Sequence, residues 1–167
     1  MKKIQSSIVL GIDLGTTRMG FGILQSNDPP RVIQQGIVPV SGSAPFSVQL
    51  DEIYRYVQSL LDTHNPNIIA FEDVFFVKNK KTALDIASVR GVILLVAAHS
   101  KVEIVRYTPL QVKQAVTGWG RADKKQVQSM VQTILKLPEA PKPDDVSDAL
   151  AVALCCLHSH QSLIESQ

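Results

Sequence analysis

The sequence predicts an α/β fold in which helices flank one mixed, five-stranded sheet. Three strand-like segments follow one another near the N-terminus, and two later ones alternate with helical segments. Strands joined by short turns pair antiparallel, whereas strands separated by a helix pair in parallel. The length of 167 residues suits a single domain spanning 1–167, with its core at about 8–159.

Strands are predicted where β-branched and other apolar residues run together. The turn Asn27-Asp28-Pro29-Pro30 separates the second strand from the third. The five predicted strands cover residues 8–12, 19–24, about 31–40, 68–71 and 102–107.

Helices are predicted where apolar residues recur every three or four positions. The second half of the segment 82–99 is apolar nearly all round, so it must be buried in the core or against a partner chain. The predicted helices cover residues 45–64, 82–99, a short segment from about 109, about 127–135 and 144–159.

Composition favours a packed, cytoplasmic protein with no membrane partner. Hydrophobic residues make up 45% of the chain, but the longest apolar run, 92–98, is far shorter than the roughly 20 residues that span a bilayer. The basic start Met1-Lys2-Lys3 leads into a strand that soon meets Asp13, which is not the pattern of a cleaved leader. Neighbouring cysteines rarely pair, so Cys155 and Cys156 are interpreted as small apolar helix residues.

The first candidate for chemistry is Asp13, in the run Gly11-Ile12-Asp13-Leu14-Gly15-Thr16-Thr17. An aspartate at the end of a buried strand must be hydrogen-bonded, paired or metal-bound. The glycines beside it let a phosphate approach the backbone closely. An aspartate that only caps its own turn would give the same pattern.

Three further acids extend this pattern. Glu72 follows the apolar run 68–71, and Asp145 and Asp148 project from one side of a helix's first turn because they are three residues apart. Each also has a structural interpretation: a surface acid for Glu72, and helix-dipole stabilisation for the other two, with Asp144 as the cap. Three acids in one turn, however, repel one another unless a cation neutralises them.

Together the acids predict an oxygen-only metal site with Asp13, Glu72, Asp145 and Asp148 as catalytic and metal-binding residues. Oxygen ligands suit Mg²⁺ or Mn²⁺, and two such ions can assist an in-line phosphoryl displacement. Of the 15 acids, those outside this set face 17 bases, so the rest of the chain carries a charge of +6. The histidines lack convincing ligand spacing: His64, His99, His158 and His160.

These features resemble the RuvC family of crossover junction endodeoxyribonucleases, which have the RNase H-like fold, over about 8–158. The family's four acids match Asp13, Glu72, Asp145 and Asp148, although Leu14 stands where proline is usual and Asp144 leaves the third ligand ambiguous by one residue. Other matching segments are Phe71-Glu72-Asp73-Val74-Phe75, Ala87-Ser88-Val89-Arg90-Gly91, Gln111-Val112-Lys113-Gln114, Lys136-Leu137-Pro138 and Asp148-Ala149-Leu150-Ala151-Val152-Ala153.

The resemblance implies a nuclease that resolves Holliday junctions by paired symmetrical nicks, with two Mg²⁺ per active site and Mn²⁺ as a substitute. The products would carry a 5′ phosphate and a 3′ hydroxyl. It implies a homodimer, with the apolar segment 82–99 as the candidate interface, and a RuvA–RuvB-type branch-migration complex as a further partner left open. In this interpretation Phe75 stacks on a base, and basic residues contact phosphates; the DNA-binding set is Phe75, Lys78, Lys80, Lys81, Lys113, Arg121, Lys124 and Lys125.

Three alternatives remain open on the sequence alone. A YqgF-type RNA-processing nuclease has a similar opening strand. A catalytically silent junction-binding protein would have no use for the acids, which would repel DNA. The segment from Gly11 to Thr17 also resembles the first phosphate loop of actin-like ATPases, but those enzymes close two such domains over ATP, and this length supplies only one.

Overall fold

The computed structural model describes residues 7–73 and 80–165, and the side chains of 7–73 and 80–159. Each predicted strand and helix is present within these ranges. The third strand ends before Pro39, which has no N–H to donate to the sheet. The elements in chain order are β1 (Ile8–Asp13), β2 (Gly20–Gln25), β3 (Arg31–Ile37), α1 (Phe46–His64), β4 (Ile68–Glu72), α2 (Lys80–Ser100), β5 (Glu103–Tyr107), α3 (Pro109–Thr117), α4 (Lys124–Ile134) and α5 (Asp144–Glu165).

The sheet has five strands in the order β3-β2-β1-β4-β5. β2 pairs antiparallel with both β1 and β3, whereas β4 pairs in parallel with both β1 and β5. This is the mixed sheet that the contiguous and alternating strands predict. The central strand β1 is therefore the place where the antiparallel and parallel halves meet.

Side chains alternate across the sheet, so each strand supplies two cores. On β1, Val9 belongs to the cluster under α3, α4 and α5, whereas Leu10 and Ile12 belong to the cluster under α1 and α2. On β4, Ala70 faces the first of these clusters and Phe71 the second. Because of this alternation, the position of the last residue in each strand determines whether its side chain lies on the α5 face or on the face covered by α1 and α2.

Helix α5 lies very close to the sheet because glycines of β1 and β2 form the surface of the sheet that the helix contacts. A Cβ on Gly11 would overlap the carbonyl oxygen of Ala149, and a Cβ on Gly20 would overlap that of Asp145. Gly22 in turn lies against the side chain of Leu150. Because glycine has no side chain, the backbone of the helix can approach the backbone of the sheet at these positions.

Helix α2 covers the other face together with α1 but uses only part of its surface. Val89, Ile93, Val96 and Ala97 are buried, whereas Leu84 is 70% exposed and Leu94 and Leu95 are also exposed. By length and hydropathy α2 could cross a bilayer, a test that a core helix of a soluble protein also passes. The longest uninterrupted apolar run, 92–98, is too short to indicate this property of the whole helix.

Candidate active site

Asp13 and Glu72 lie side by side at one edge of the sheet. β1 and β4 are parallel neighbours with Ile12 opposite Phe71, so the next residue of each strand reaches the same carboxyl edge. Both follow residues that face α1 and α2, and alternation therefore turns both carboxylates toward α5.

Asp145 and Asp148 reach this edge from the first turn of α5. Asp13 pairs with Gly20 across β1 and β2, and Gly20 is the residue that lies against the backbone of Asp145. Asp148 follows one turn later on the same side of the helix. The close approach that glycine allows therefore brings the start of α5 to the end of β1.

The proximity of the four acids is visible in their electrostatics. Burial and then the negative charges of Asp148, Asp145 and Glu72 raise the pKa of Asp13 from 3.8 to about 7. Burial and Asp148 likewise raise the pKa of Glu72, and burial raises that of Asp148. The structure thus brings together all four acids that the sequence singles out, and their charges oppose one another.

Lys124 offsets part of this charge. Its Nζ lies 3.1 Å from Asp148 and 3.3 Å from Asp144. Partial burial acts to lower the pKa of Lys124, but the two carboxylates outweigh it and the pKa is raised. Lys124 is the first residue of α4, whose start is held by a capping box in which Asp123 accepts from the backbone N–H of Gln126. This cap holds the start of the helix that carries the lysine.

Asp144 belongs to this ion pair more than to the acidic cluster. Hydrogen bonds from Gln128 and Lys124 lower its pKa, and its side chain is well exposed. The sequence assigned Asp144 to a helix cap and left open whether it or its neighbour Asp145 completes the site. The contact of Asp145 with Gly20 and its charge effect on Asp13 favour Asp145.

Two polar atoms at the start of α5 have unmet hydrogen-bonding capacity within the described residues. Asp145 Oδ2 and Ser147 Oγ are buried and have no hydrogen-bond partner. The Nε of Arg18 lies 3.4 Å from the same Asp145 oxygen, which is an ion-pair contact without hydrogen-bond geometry. Arg18 was not among the predicted site residues, although its position in the loop that leaves Asp13 could have indicated it.

Glu72 is flanked by a second set of basic residues that sequence reasoning only partly found. Lys113 of α3 acts to lower the pKa of Glu72. The next residue, Asp73, is buried and accepts a hydrogen bond from Arg90 at 2.8 Å, with Arg106 at 3.5 Å. These pairs tie the end of β4 to α2 and β5, and nothing in the linear spacing connects them.

The remaining predicted DNA contacts are basic residues on exposed positions. Lys80 and Lys81 begin α2, and Arg121 and Lys125 lie on either side of the first residue of α4. Phe75 and Lys78 lie outside the described residues.

The donor set at this edge fits a hard divalent cation. All four candidate ligands are carboxylates, and Asp145 offers a buried oxygen that lacks a hydrogen bond. In the described part of the chain, no three acids, cysteines or histidines yet converge tightly enough to hold one ion. Lys124 and Arg18 instead draw Asp148 and Asp145 toward themselves. The register of β1 and β4 and the close approach of α5, rather than a ready-made metal cage, bring these carboxylates to one edge of the sheet.

Clustered acids at the edge of this mixed sheet, faced by lysines, define a class: the metal-dependent nucleases of the RNase H-like fold. The family model described as the crossover junction endodeoxyribonuclease RuvC matches residues 9–156. A RuvC of Caldicellulosiruptor saccharolyticus is 46% identical over 158 residues, covering 93% of this chain and 95% of the relative. One of Syntrophomonas wolfei is 47% identical over 161 residues, covering 95% and 94%.

Solved structures give the same result. Thermus thermophilus RuvC in complex with a Holliday junction substrate superposes with a TM-score of 0.88 at 33% identity, covering 93% of this chain and 96% of that one. The yeast mitochondrial Holliday junction resolvase Ydc2, with a TM-score of 0.73 at 12% identity, shares the fold. The chain belongs to the RuvC family of crossover junction endodeoxyribonucleases. The expected family and fold are confirmed.

Proposed function

We propose that this protein resolves Holliday junctions by metal-assisted hydrolysis of two symmetrically placed phosphodiester bonds. The observation that carries the proposal is the position of the acids that the sequence singles out: Asp13 and Glu72 end neighbouring parallel strands, and Gly20, opposite Asp13, lies against the backbone of Asp145 at the start of α5. Mutual repulsion among carboxylates is unfavourable in the folded protein alone, and a bound divalent cation would neutralise it beside a phosphate.

Asp13, Glu72, Asp145 and Asp148 would hold the metal, which we propose is Mg²⁺, two per active site with Mn²⁺ as a substitute. Such ions supply a Lewis acid and polarise water beside a phosphate. The four side chains would supply the negative charge that retains the ions. The proposed products are a 5′ phosphate and a 3′ hydroxyl.

We propose that Lys113 and Lys124 hold the scissile phosphate. Each interacts with an acid of the cluster, Lys113 with Glu72 and Lys124 with Asp148, and so lies at the rim of the site. Positive charge fixed at this point stabilises the charge that develops in the transition state. When DNA and metal bind, Lys124 would exchange its carboxylate partners for phosphate oxygens. The other basic residues, Lys80, Lys81, Arg121 and Lys125, would track the DNA backbone.

The outer face of α2 supports a homodimer. Residues at three- and four-residue spacing form one exposed stripe of apolar and small side chains. Such a stripe suits isologous packing of two helices, because small residues allow close approach and leucines supply buried area. A two-fold dimer would provide the two sites that paired nicks need. The stripe comprises Leu84, Ala87, Ser88, Gly91, Leu94, Leu95 and Ala98.

The relatives are named for crossover junctions, and one is solved with a Holliday junction, which supports branched DNA as the substrate here. Their bacterial sources and a DNA substrate support a cytoplasmic location. A RuvA–RuvB-type branch-migration motor is the further partner to be tested by co-sedimentation on a four-way junction. Family membership and the four clustered acids favour cleavage over an RNA-processing role or silent binding.

The test is cleavage of a labelled four-way junction in Mg²⁺, compared with linear duplex and with RNA of matching sequence. We expect symmetrical nicks in the junction only. Asp13→Asn should lower the rate at least about a thousandfold, because it removes a ligand and a charge from the centre of the cluster. Asp51→Asn, which changes an exposed acid of α1, should cut at the wild-type rate. Cleavage of RNA in preference to the junction would overturn the proposal.

A further inference from the structure

Trp119 is an exposed aromatic residue that belongs to neither hydrophobic core. It is the only tryptophan of the chain and lies in the turn between α3 and α4, with 56% of its surface exposed. Large apolar side chains exposed to this extent are concentrated at binding surfaces. The DNA-contacting residues inferred from the sequence do not include it.

Hydrogen bonds hold the backbone of the turn that carries Trp119. Its backbone N–H donates to Thr117 Oγ1 at 3.1 Å, and that hydroxyl shares its single proton between the carbonyl oxygens of Lys113, at 2.8 Å, and of Trp119, at 2.9 Å. That carbonyl also accepts from Ala122 N–H at 3.1 Å. Gly118 ends α3 in the left-handed region, with φ at 75°, and its carbonyl accepts from Gln114. An aromatic ring on such a turn is presented at little entropic cost.

The position of the turn connects it to the active site. The cap of α4 begins four residues after Trp119, and the first residue of that helix is Lys124, whose Nζ contacts Asp148. Exposed Arg121 and Lys125 flank the same segment, so its charge complements a phosphate backbone. Beside the ring lies a hollow of about 450 Å³, lined also by Met130, Ala122 and Lys125.

We propose that Trp119 stacks on a nucleobase of the bound junction, next to the cleaved strand. An indole beside fixed positive charge is the combination with which proteins hold bases that have left a duplex stack. The hollow beside the ring gives such a base room. This inference rests on the proposed function, because it takes branched DNA as the ligand of the adjoining acidic site.

Trp119 acts as a positioning residue and makes no contact with the reacting atoms. Stacking holds the DNA equally in the ground state and in the transition state, so its loss raises KM and leaves kcat nearly unchanged. The ring carries no charge, so the salt dependence of binding stays the same. Lys125→Ala, in contrast, should reduce the slope of log affinity against log salt by about one.

The sole tryptophan makes the test direct. A four-way junction is titrated into the Asp13→Asn protein, which is expected to bind without cutting, and the emission of Trp119 is followed. We expect quenching by the junction and little change with linear duplex. Trp119→Ala, in the otherwise wild-type protein, should weaken junction affinity on the order of tenfold, whereas Trp119→Phe should retain most of it. Phe46→Ala removes an exposed aromatic from α1, on the other face of the sheet, and should bind like the wild type.

The outcomes separate the two proposals. If the wild type cuts junctions while Trp119→Ala binds equally well and the emission does not change, the stacking role is wrong and the proposed function stands. If Trp119→Ala changes kcat rather than KM, or alters the melting temperature, the ring has a structural role and the stacking proposal is again wrong. If the wild type neither binds nor cuts a junction, the proposed function fails and the stacking role fails with it.

Discussion

The two faces of the sheet are built from different side chains, and the difference separates their functions. Under α5 the strands present glycines and the helix presents alanines, so two backbones meet closely. Under α1 and α2 the strands present Ile12, Phe21 and Phe71, which hold the helices farther off. The first face positions carboxylates, whereas the second leaves an apolar stripe uncovered. The close contact between α5 and the sheet suits a site whose side chains must be positioned accurately. The exposed apolar stripe of α2 suits a surface that binds a second chain.

The largest expected effect comes from adding a side chain at the close contact between α5 and the sheet. Gly20→Ala should destabilise the protein by roughly 1–3 kcal/mol and abolish junction cleavage, because the added methyl would overlap the carbonyl oxygen of Asp145 and push away the turn that carries two of the proposed metal ligands. Urea unfolding and the junction assay measure both consequences.

Gly91→Ala is the matched control on the other face. A Cβ at Gly91 meets nothing within 4 Å in the chain, and alanine favours a helix over glycine by about 1 kcal/mol. Gly91 lies on the proposed dimer stripe, so both substitutions are compared in the Leu94→Glu, Leu95→Glu monomer, where we expect Gly91→Ala to leave the stability of the fold equal or higher. Equal effects of the two substitutions would contradict the distinction between the faces.

The next effect concerns the uncovered stripe on α2. Leu94→Glu combined with Leu95→Glu should shift the protein from dimer to monomer in sedimentation at micromolar concentration, because two buried charges oppose the contact. The monomer should keep its fold, since both leucines are exposed, and should lose paired nicking. Leu110→Glu, which changes a still more exposed leucine on α3, serves as the control. A wild-type protein that sediments as a monomer would refute the interface.

The smallest expected effect is a pH dependence of stability in metal-free protein. The pKa of Asp13 is about 7 in the folded chain and 3.8 without its neighbours, so protonation favours the folded state. The stabilisation is complete below about pH 4 and disappears as the pH rises through 7. In EDTA, Asp13→Asn should therefore be more stable than the wild type at pH 8 by about 2 kcal/mol, since one pKa unit is worth about 1.4 kcal/mol and solvent screens part of the shift.

The two proteins should be nearly equally stable in EDTA at pH 4, where the aspartate itself is protonated. A difference that does not change between pH 4 and pH 8 would show that the charge of Asp13 is not the cause.

Much of the fold followed from local patterns. β1, α1 and the start of α5 lie where runs of apolar residues, helical spacing and Pro143-Asp144 place them, since each pattern reflects the period of its own element. The four acids were also recognisable, because each follows a buried segment or begins a helix. Arg18, Arg90 and Arg106 were not, since each contacts an acid on another element.

The sequence by itself determined the elements, their order, the family and the identity of the acidic residues, because these depend on neighbouring residues and on spacing along the chain. Only the tertiary structure decided that Asp13 and Glu72 turn to the same face, that Gly20 admits α5 and that Lys124 reaches Asp148. It also decided that α2 buries one side and exposes the other, and that Trp119 is exposed. These facts depend on strand register, on the distance between a helix and the sheet, and on which surfaces the fold leaves uncovered.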